Sequence, residues 1–298
     1  MLKTSDLLSR VAEIKAKAKE RTVVKETKES FNVVQLPLWS EEVRGVPNAA
    51  LRSALFGAIK KGARAYLERK EIHAQEGIRI VYTGARLDQG DLDVWETVLH
   101  ISRMQALGNE CRVTAYQLLK ALGKTDTGIN RTTLDRRLSR MKATGIDVKV
   151  DQFSYEGSLI DEVYRAEESK EYIIKLNPKL SALFARDQFT HVDWSVRHAL
   201  DGKPLAQWLH GYYASHAKPY PVTVSMLLKL SGSENEDPSS GKQKLKKALE
   251  ALTEASNANG QTFSYSIEQD IVDVNRKPST SQRRHLAKKA AKQKKAKP

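Results

Sequence analysis

The chain has 298 residues, 40% of them hydrophobic, and a formal net charge of +14 at pH 7. This length and composition exclude a disordered polymer and suffice for one large domain or two ordinary ones. No apolar run approaches the roughly 20 residues of a membrane-spanning helix, and the N-terminus is too charged for a secretion signal. The single cysteine, Cys111, excludes an internal disulfide or a cysteine zinc site, so we expect a cytoplasmic protein with Cys111 in its core.

The positive charge is concentrated at the C-terminal end of the chain. Residues 276–298 contain ten Lys and Arg and no acid, whereas the remainder contains 40 basic and 36 acidic residues. The total charge indicates a polyanionic partner, and the small excess elsewhere means that DNA specificity has to come from local patches. We expect residues 276–298 to be a basic disordered tail, which either contacts phosphates or is a solubilising end.

Residues 1–45 are predicted to be a flexible N-terminal segment. Residues 1–31 are typical of a charged, weakly amphipathic helix followed by a polar stretch. Residues 33–39 are expected to be extended, because Pro37 lacks an amide hydrogen and biases its predecessor toward β geometry.

Residues 46–186 are predicted to form a first compact domain. Asn48 and Thr114 are residue types that cap helices, and each precedes an apolar-periodic stretch. The last strand-like segments fit a β-hairpin wing attached to the helices. The predicted elements are helices at 48–60, 91–104, 115–122 and 130–144 and strands at 78–83, 146–152, 159–166 and 171–176.

The same order of elements recurs in a second predicted domain, residues 187–275. A short helix at 179–186 follows the Asn177-Pro178 break and leads into it. Its predicted elements are helices at 203–215, 222–230 and 242–255 and strands at 262–267 and 270–274. This repetition is one of pattern, not of sequence identity, and it predicts an α+β fold of two tandem winged-helix (helix-turn-helix) domains.

The helix at 130–144 has a basic side opposite an apolar stripe of Leu134, Leu138 and Met141. Arginine can make bidentate bonds to guanine, and threonine can bond a base edge or pack on a thymine methyl group. The alternative is a solvated helix face, because runs of charge often mean no more than that. The predicted DNA-contacting residues are Arg131, Thr132, Thr133, Arg136, Arg137 and Arg140, with Thr133, Arg136 and Arg140 facing the bases.

The helix at 242–255 repeats this arrangement more weakly. Its apolar stripe lies opposite a mixture of lysines and acids, and Glu250 and Glu254 would lie unfavourably close to phosphates. We therefore expect its N-terminal turns to contact DNA, by phosphate positioning more than by base reading. The residues concerned are Lys242, Gln243, Lys244 and Lys247.

Two motifs that could indicate an enzyme do not support one. Gly123-Lys124-Thr125 resembles the end of a phosphate-binding P-loop, but Leu118 replaces the required upstream glycine, so a turn between helices is expected. Tyr212-Tyr213 could supply a nucleophile for a DNA-nicking enzyme, yet the seven histidines show no metal-ligand spacing. We expect no enzymatic activity, catalytic residue, metal or cofactor, and place Tyr212 in the core; the nicking enzyme is the less favoured alternative.

Five stretches along most of the chain match one known family. They are QLPLW (35–39), VPNAALRSALF (46–56), IRIVYTG (78–84), LDVWETVL (92–99) and YYASHAKPYPVTVSMLLKLSGS (212–233). With them the chain resembles the TrfA-type replication initiators of broad-host-range plasmids. The resemblance implies two winged-helix domains that bind directly repeated origin sequences (iterons), open adjacent A/T-rich DNA and help to load the host replicative helicase. It also implies dimers that give way to monomers for initiation.

The family carries a short peptide that docks on the bacterial sliding clamp. Gln35, Leu36, Leu38 and Trp39 fit it, whereas Pro37 and a tryptophan in place of phenylalanine depart from it. An extended peptide with large apolar anchors can fill a hydrophobic pocket, and a proline lowers the ordering cost. The alternative is that the apolar residues pack on the protein's own first domain.

A transcriptional repressor with the same fold is the main functional alternative. Initiators and repressors share winged-helix domains, so the sequence of the protein does not separate them. Tandem direct repeats in the bound DNA favour an initiator, and one palindrome over a promoter favours a repressor.

Overall fold

A computed structural model describes residues 35–295 apart from 60, 61, 63, 107, 109, 151, 167, 168, 170, 186, 235 and 236. The helix predicted over residues 1–31 lies outside the described residues. The helices are α1 (Asn48–Leu51), α2 (Gln89–Ser102), α3 (Ala115–Ala121), α4 (Gly128–Lys142), α5 (Trp194–Ala199), α6 (Pro204–Ala214), α7 (Val224–Leu230), α8 (Pro238–Ala258) and α9 (Thr280–Lys295), with a 3-10 helix at Pro178–Phe184. The strands are β1 (Val43–Pro47), β2 (Phe56–Gly57), β3 (Tyr66–Glu71), β4 (Ile78–Ala85), β5 (Leu87–Asp88), β6 (Cys111–Thr114), β7 (Gly145–Val150), β8 (Phe153–Gly157), β9 (Glu162–Ala166), β10 (Glu171–Lys175), β11 (Phe189–Asp193), β12 (Val222–Thr223), β13 (Phe263–Glu268) and β14 (Ile271–Arg276).

The mixed α+β architecture contains one arrangement twice. In the first unit the chain runs α2, β6, α3, α4 and then the β9–β10 hairpin, and the sheet order is β6-β10-β9. In the second unit it runs α6, β12, α7, α8 and then the β13–β14 hairpin, and the sheet order is β12-β14-β13. All these strand pairs are antiparallel, so in each unit the strand before the helix pair joins the second strand of the hairpin.

The residues that begin the paired helices behave as their types predict. The Thr114 hydroxyl accepts a hydrogen bond from the Gln117 amide, and the Gln117 side chain accepts one from the Thr114 amide, which completes a capping box. Thr223 likewise caps α7 through the Met226 amide. Cys111 is buried, as expected.

The sequence misassigned the strand at 146–152 to the hairpin wing. This strand, β7, pairs with β4 and with β8, which was not predicted, in a four-stranded sheet of order β3-β4-β7-β8. The alternation of residues predicts a strand but not its partner, and β4 lies far upstream in the chain. The hairpin consists of β9 and β10 alone.

The start of the first domain also differs from the prediction. Helix α1 spans four residues, and no side chain caps it. Instead, Asn48 donates to the Asp187 carbonyl at 3.0 Å and accepts from the Thr190 hydroxyl at 2.7 Å. These bonds and the β1–β11 pairing draw residues 187–193 into the first unit, with Val192 in its core. The boundary between the units therefore lies near residue 194, not 187.

The prediction that the C-terminal tail is disordered is wrong for most of its length. Residues 280–295 form α9, because Ala, Lys, Arg and Gln are strong helix formers and the segment contains no Gly or Pro. Its first turn is anchored where Gln282 donates to the Ala214 carbonyl at 2.7 Å. The prediction of disorder relied on the high net charge of the tail and did not take its helix propensity into account.

Each unit has its own hydrophobic core, and a buried arginine joins them. Arg197 of α5 is 1% exposed, and its Nε lies 2.6 Å from both Asp93 Oδ1 and Glu96 Oε1 of α2. Its Nη2 also donates to the Gln89 carbonyl at 3.1 Å. The Trp208 indole adds a bond to the Ser53 carbonyl at 3.0 Å. These contacts fix the second unit against the first, at α2 through Arg197 and at residue Ser53 through Trp208.

Glu96 gives this junction a pH dependence. Glu96 is fully buried, and Arg197 Nε, which lies 2.6 Å from Glu96 Oε1, donates its hydrogen to Asp93. Burial raises the pKa of Glu96 to about 8, against the attraction of Arg197.

The Glu96→Gln variant should therefore gain stability over the parent as the pH rises. A carboxyl whose folded-state pKa is raised contributes stability below its unfolded-state pKa and loses that contribution as the pH rises through about 8. We expect the difference in unfolding free energy to grow between pH 5 and 8, by at most about 1.4 kcal/mol per pH unit. Urea denaturation at several pH values measures it, and parallel pH profiles would contradict this assignment.

Candidate DNA interface

Helix α4 is positioned by its N-terminal cap and by its apolar stripe. The Thr127 hydroxyl accepts a hydrogen bond from the Asn130 amide at 3.3 Å, so the helix begins at Gly128, two residues before the predicted start. Leu134, Leu138 and Met141 are buried in the first core, as the periodicity predicted. The opposite side of the helix faces solvent.

Two of the predicted DNA contacts on α4 are turned into the protein. Arg137 Nη1 lies 2.6 Å from Asp88 Oδ1 and 2.8 Å from Asp91 Oδ1, and Arg140 Nη1 lies 2.7 Å from both oxygens of Asp91. Asp88 and Asp91 also form the capping box that begins α2. The prediction that Arg137 and Arg140 contact DNA, with Arg140 facing a base, is therefore wrong for this conformation, because both guanidinium groups neutralise buried carboxylates.

The burial and ion pairs of this cluster shift the pKa of Asp88. Burial alone would raise the pKa of Asp88, but Arg137 and Arg64 outweigh it and hold that pKa well below its usual range. Asp88 is therefore ionised at neutral pH. The cluster ties the middle of α4 to the first turn of α2.

The hairpin holds α4 from the other side through Asp135. Arg165 of β9 donates to Asp135 through Nη2 at 2.9 Å and Nε at 3.1 Å, and Tyr172 of β10 donates through its hydroxyl. Burial, helped by the bond to Asp135, raises the pKa of Tyr172 to about 12, so it remains a donor at neutral pH. The only acid on α4 is thereby paired.

Four of the predicted residues on α4 stay at the surface. Arg136 is exposed, and its one described contact is a long hydrogen bond of 3.4 Å to the Thr133 hydroxyl. Thr132 is exposed and Thr133 half-buried. Arg131 is exposed but pairs with Asp126 through two bonds of 2.6 and 2.7 Å. The outward face of α4 is thus centred on Thr132, Thr133 and Arg136.

Helix α8 presents its predicted residues differently. It begins at Pro238, four residues before the predicted start, with Asp237 as its cap. Lys242 pairs with Asp270 at the turn of the β13–β14 hairpin at 2.5 Å, while Gln243 is exposed. Lys244 and Lys247 are exposed on the rim of a groove of about 770 Å³ between the two units. This helix therefore offers a less uniform surface to a polyanion than α4 does.

Tyr212 and Tyr213 lie in the second core, as expected for Tyr212. Both are at most 2% exposed, and neither hydroxyl has a hydrogen-bond partner among the described residues. Burial raises the pKa of both phenols. A tyrosine nucleophile must reach a phosphodiester as its phenolate, so neither Tyr212 nor Tyr213 is placed for that role in this conformation.

Gly123 is explained by packing and not by phosphate binding. It adopts a left-handed conformation with φ of 62° directly after α3, and the ring of His198 occupies the space that a side chain would need. The stretch Gly123-Lys124-Thr125 is the expected turn between α3 and α4.

The four residues of the predicted clamp-docking peptide do not form one exposed surface. Leu36 and Trp39 are 2% and 7% exposed in the first core, and the Trp39 indole donates to His100 Nδ1 at 3.0 Å. Gln35 donates to the Arg103 carbonyl at 3.1 Å, and Leu38 is 64% exposed. Leu36 and Trp39 pack on the first domain, as the alternative interpretation predicted. Clamp docking would require both anchors to leave the core.

Asp88 and Asp91 were missed by the sequence analysis, although a signal for them exists. An acid at the N-cap and another three residues later is a capping pattern, which would have placed buried carboxylates at the start of α2. Within the described ranges no helix is long and apolar enough to span a membrane, and no cluster of His, Cys, Asp or Glu has metal-binding geometry.

Comparisons with known proteins agree with the family resemblance and the fold. The protein named "Plasmid replication initiator protein TrfA" from Escherichia coli is 28% identical over 260 residues, which cover 83% of this chain. The chain spans 66% of that relative's length, just under two thirds. Crystal structures of domains 2 and 3 of RctB, in a selenomethionine and a second form, superpose with TM-scores of 0.51 and 0.50 at 13% and 14% identity. Both superpositions cover 78% of this chain and 98% of the other.

The family assignment rests on nearly the whole chain. A sequence model described as "TrfA protein" matches residues 3–276, which include both repeated units and end where β14 ends. Helix α9 lies beyond the match. The chain belongs to the TrfA family.

Proposed function

We propose that the chain is a plasmid replication initiator that binds directly repeated origin sequences through two winged-helix domains, promotes origin opening and recruits host replication proteins. The observation that carries this proposal is the outward face of α4, where Thr132, Thr133 and Arg136 stand clear of the internal ion pairs. Family membership supports initiation as the purpose of DNA binding.

The repeated arrangement supports assigning both units to the winged-helix class. Each has a helix, a short strand, a helix pair and a hairpin whose second strand pairs with the short strand. In that class the second helix of the pair lies in the major groove. Helices α4 and α8 occupy this position. We assign base reading to α4 and mainly phosphate positioning to the first turns of α8, through Gln243, Lys244 and Lys247.

The fixed junction between the units supports binding to one continuous DNA site. Arg197 and Trp208 bridge the cores, and Arg86 of the first unit donates to the Gly232 carbonyl of the second at 2.8 Å. Two DNA-contacting helices held in this way require a constant spacing between the bases that α4 reads and the phosphates that α8 contacts. The proposal involves no catalytic step by this chain.

Family membership is the support for contacts with host proteins and for a change of oligomeric state. We include recruitment of the replicative helicase or its loader, and a dimer that dissociates into monomers. We do not propose docking on the sliding clamp through Gln35, Leu36, Leu38 and Trp39. The side chains of Leu36 and Trp39 are buried in the core of the first unit.

Selection of bound sequences from a randomised duplex library by the full-length protein tests the function. We expect one enriched motif, which also occurs as tandem direct repeats beside the gene for this protein. A palindromic motif at a promoter would favour the repressor instead. A library that yields no enriched motif would contradict sequence-specific DNA binding.

Replacing Arg136 by alanine should weaken binding to the selected duplex by about 1–3 kcal/mol, because a bidentate contact to guanine is lost. Binding to random duplex should change little. Fluorescence anisotropy at one fixed salt concentration measures both affinities. Arg79→Ala, which removes an exposed arginine from β4, is the matched control. Equal losses on selected and random duplex would make Arg136 a phosphate contact.

A further inference from the structure

Ile129 is an exposed apolar residue at the first turn of α4. Its side chain is 80% exposed, the largest value among the exposed large hydrophobic side chains of the described chain. The core of the first unit does not use it, since the buried stripe of α4 begins at Leu134. A single exposed isoleucine is common on a protein surface, but this one lies at the start of the helix that we propose reads the DNA.

The polar groups around Ile129 are used within the protein. Asn130 donates from its side chain to the Thr125 carbonyl at 2.8 Å, and Arg131 is held by Asp126. The Thr132 hydroxyl donates to the Gly128 carbonyl at 2.9 Å, which leaves its methyl group as the outward part of that side chain. The first turn of α4 therefore presents the Ile129 side chain and the Thr132 methyl group as an apolar surface, next to the exposed ion pair of Arg131 with Asp126.

This apolar surface lies beside the arginine that is free to read a base. Residues three and seven positions apart share one side of a helix, so Ile129, Thr132 and Arg136 form a continuous row. No acid lies in this row, because Asp135 points to the hairpin. In helix pairs that bind DNA, the N-terminal residues of the second helix contact base edges.

The major groove offers one apolar group to such a row. Among the base edges there, only thymine carries a methyl group, at C5, whereas the other edges present hydrogen-bond donors and acceptors. We propose that Ile129, together with the methyl group of Thr132, packs on a thymine 5-methyl group and so selects thymine next to the bases reached by Arg136. This inference rests on the proposed DNA-binding function and adds a specificity-determining residue to it.

Replacing thymine by deoxyuridine tests the contact, because it removes the methyl group and leaves base pairing intact. In the duplex selected by the full-length protein, each thymine is replaced in turn and the dissociation constant is measured for the parent and for Ile129→Ala. We expect one or two positions at which the parent binds roughly fourfold more weakly, the effect of losing one buried methyl group. Ile129→Ala should bind the unmodified duplex more weakly by a similar or larger factor and be insensitive to deoxyuridine at those positions.

Two variants separate this contact from a general loss of fold or affinity. Ile129→Val keeps a methyl group near the groove and should retain most of the sensitivity to deoxyuridine. Met104→Ala removes another exposed apolar side chain of the first unit and should bind as the parent does. Melting temperatures of all variants should agree, since neither side chain is in the core.

The outcomes distinguish this inference from the function on which it rests. If the parent binds a selected motif but no thymine position responds to deoxyuridine, or if Ile129→Ala keeps the full response, the inference is wrong and the function stands. If the selection yields no motif, both are wrong.

Discussion

Replacing Arg137 by alanine should lower the free energy of unfolding by about 2 kcal/mol or more, since two buried carboxylates lose a partner and keep one arginine each, Arg64 for Asp88 and Arg140 for Asp91. Arg137 lies 2.6 Å from Asp88 and 2.8 Å from Asp91, and Asp91 is fully buried. The pKa of Asp88 is held low mainly by Arg137, so its ionised form becomes costly once the guanidinium is gone. Urea denaturation at neutral pH measures the loss.

Its sequence neighbour provides the control. Arg136→Ala removes the same charge from the next position of α4, but the side chain is exposed, so the unfolding free energy should change by at most about 0.5 kcal/mol. Arg136→Ala should therefore lower DNA affinity and keep the unfolding free energy, whereas Arg137→Ala should lower the unfolding free energy. Equal stabilities would contradict the inward assignment of Arg137.

Replacing Arg197 by methionine should cost about 3 kcal/mol or more and should separate the unfolding of the two units. The guanidinium is fully buried between Asp93 and Glu96 of the first unit, and methionine fills similar space without a charge. Losing this contact leaves Asp93 without its ion pair and weakens the junction. Calorimetry should show one transition in the parent and two in the variant.

An exposed ion pair serves as the reference for Arg197. Arg112 lies on β6 at the surface, 2.7 Å from Glu110, and Arg112→Met should cost less than about 1 kcal/mol. A loss of that small size for Arg197→Met, with a single transition, would mean that the other contacts between the units are sufficient to join them.

The position of helix α4 and its buried side could be predicted from the sequence, whereas the contacts of its arginines could not. Periodicity placed Leu134, Leu138 and Met141 in the core, and the predicted bounds, 130–144, lie within two residues of the observed ones. The same rotation put Arg140 on the outward face, yet its side chain reaches back to an aspartate 49 residues earlier. A long arginine side chain can pair with a carboxylate that the tertiary fold brings near it. A sequence pattern does not give the distance between two residues that are far apart in the chain.

The other errors have the same origin in tertiary structure. Trp39 belongs to a stretch that is typical of an exposed docking peptide, but it stacks on Phe184 at a centroid distance of 6.2 Å. Strand β7 alternates as a hairpin strand would, but it pairs with β4. For α9 the helix propensity of the local sequence was sufficient to predict a helix, but the high positive charge led to the prediction of disorder.

The most direct test of base reading by Arg136 uses 7-deazaguanine, which lacks the N7 acceptor that arginine binds in the major groove. Each guanine of the selected duplex is replaced in turn, and the dissociation constant is measured for the parent and for Arg136→Ala at one salt concentration. We expect one guanine whose replacement weakens the parent about tenfold and leaves Arg136→Ala unaffected. Full sensitivity at that guanine in Arg136→Ala, or no sensitive guanine in the parent, would contradict the assignment of α4 as the helix that reads the DNA.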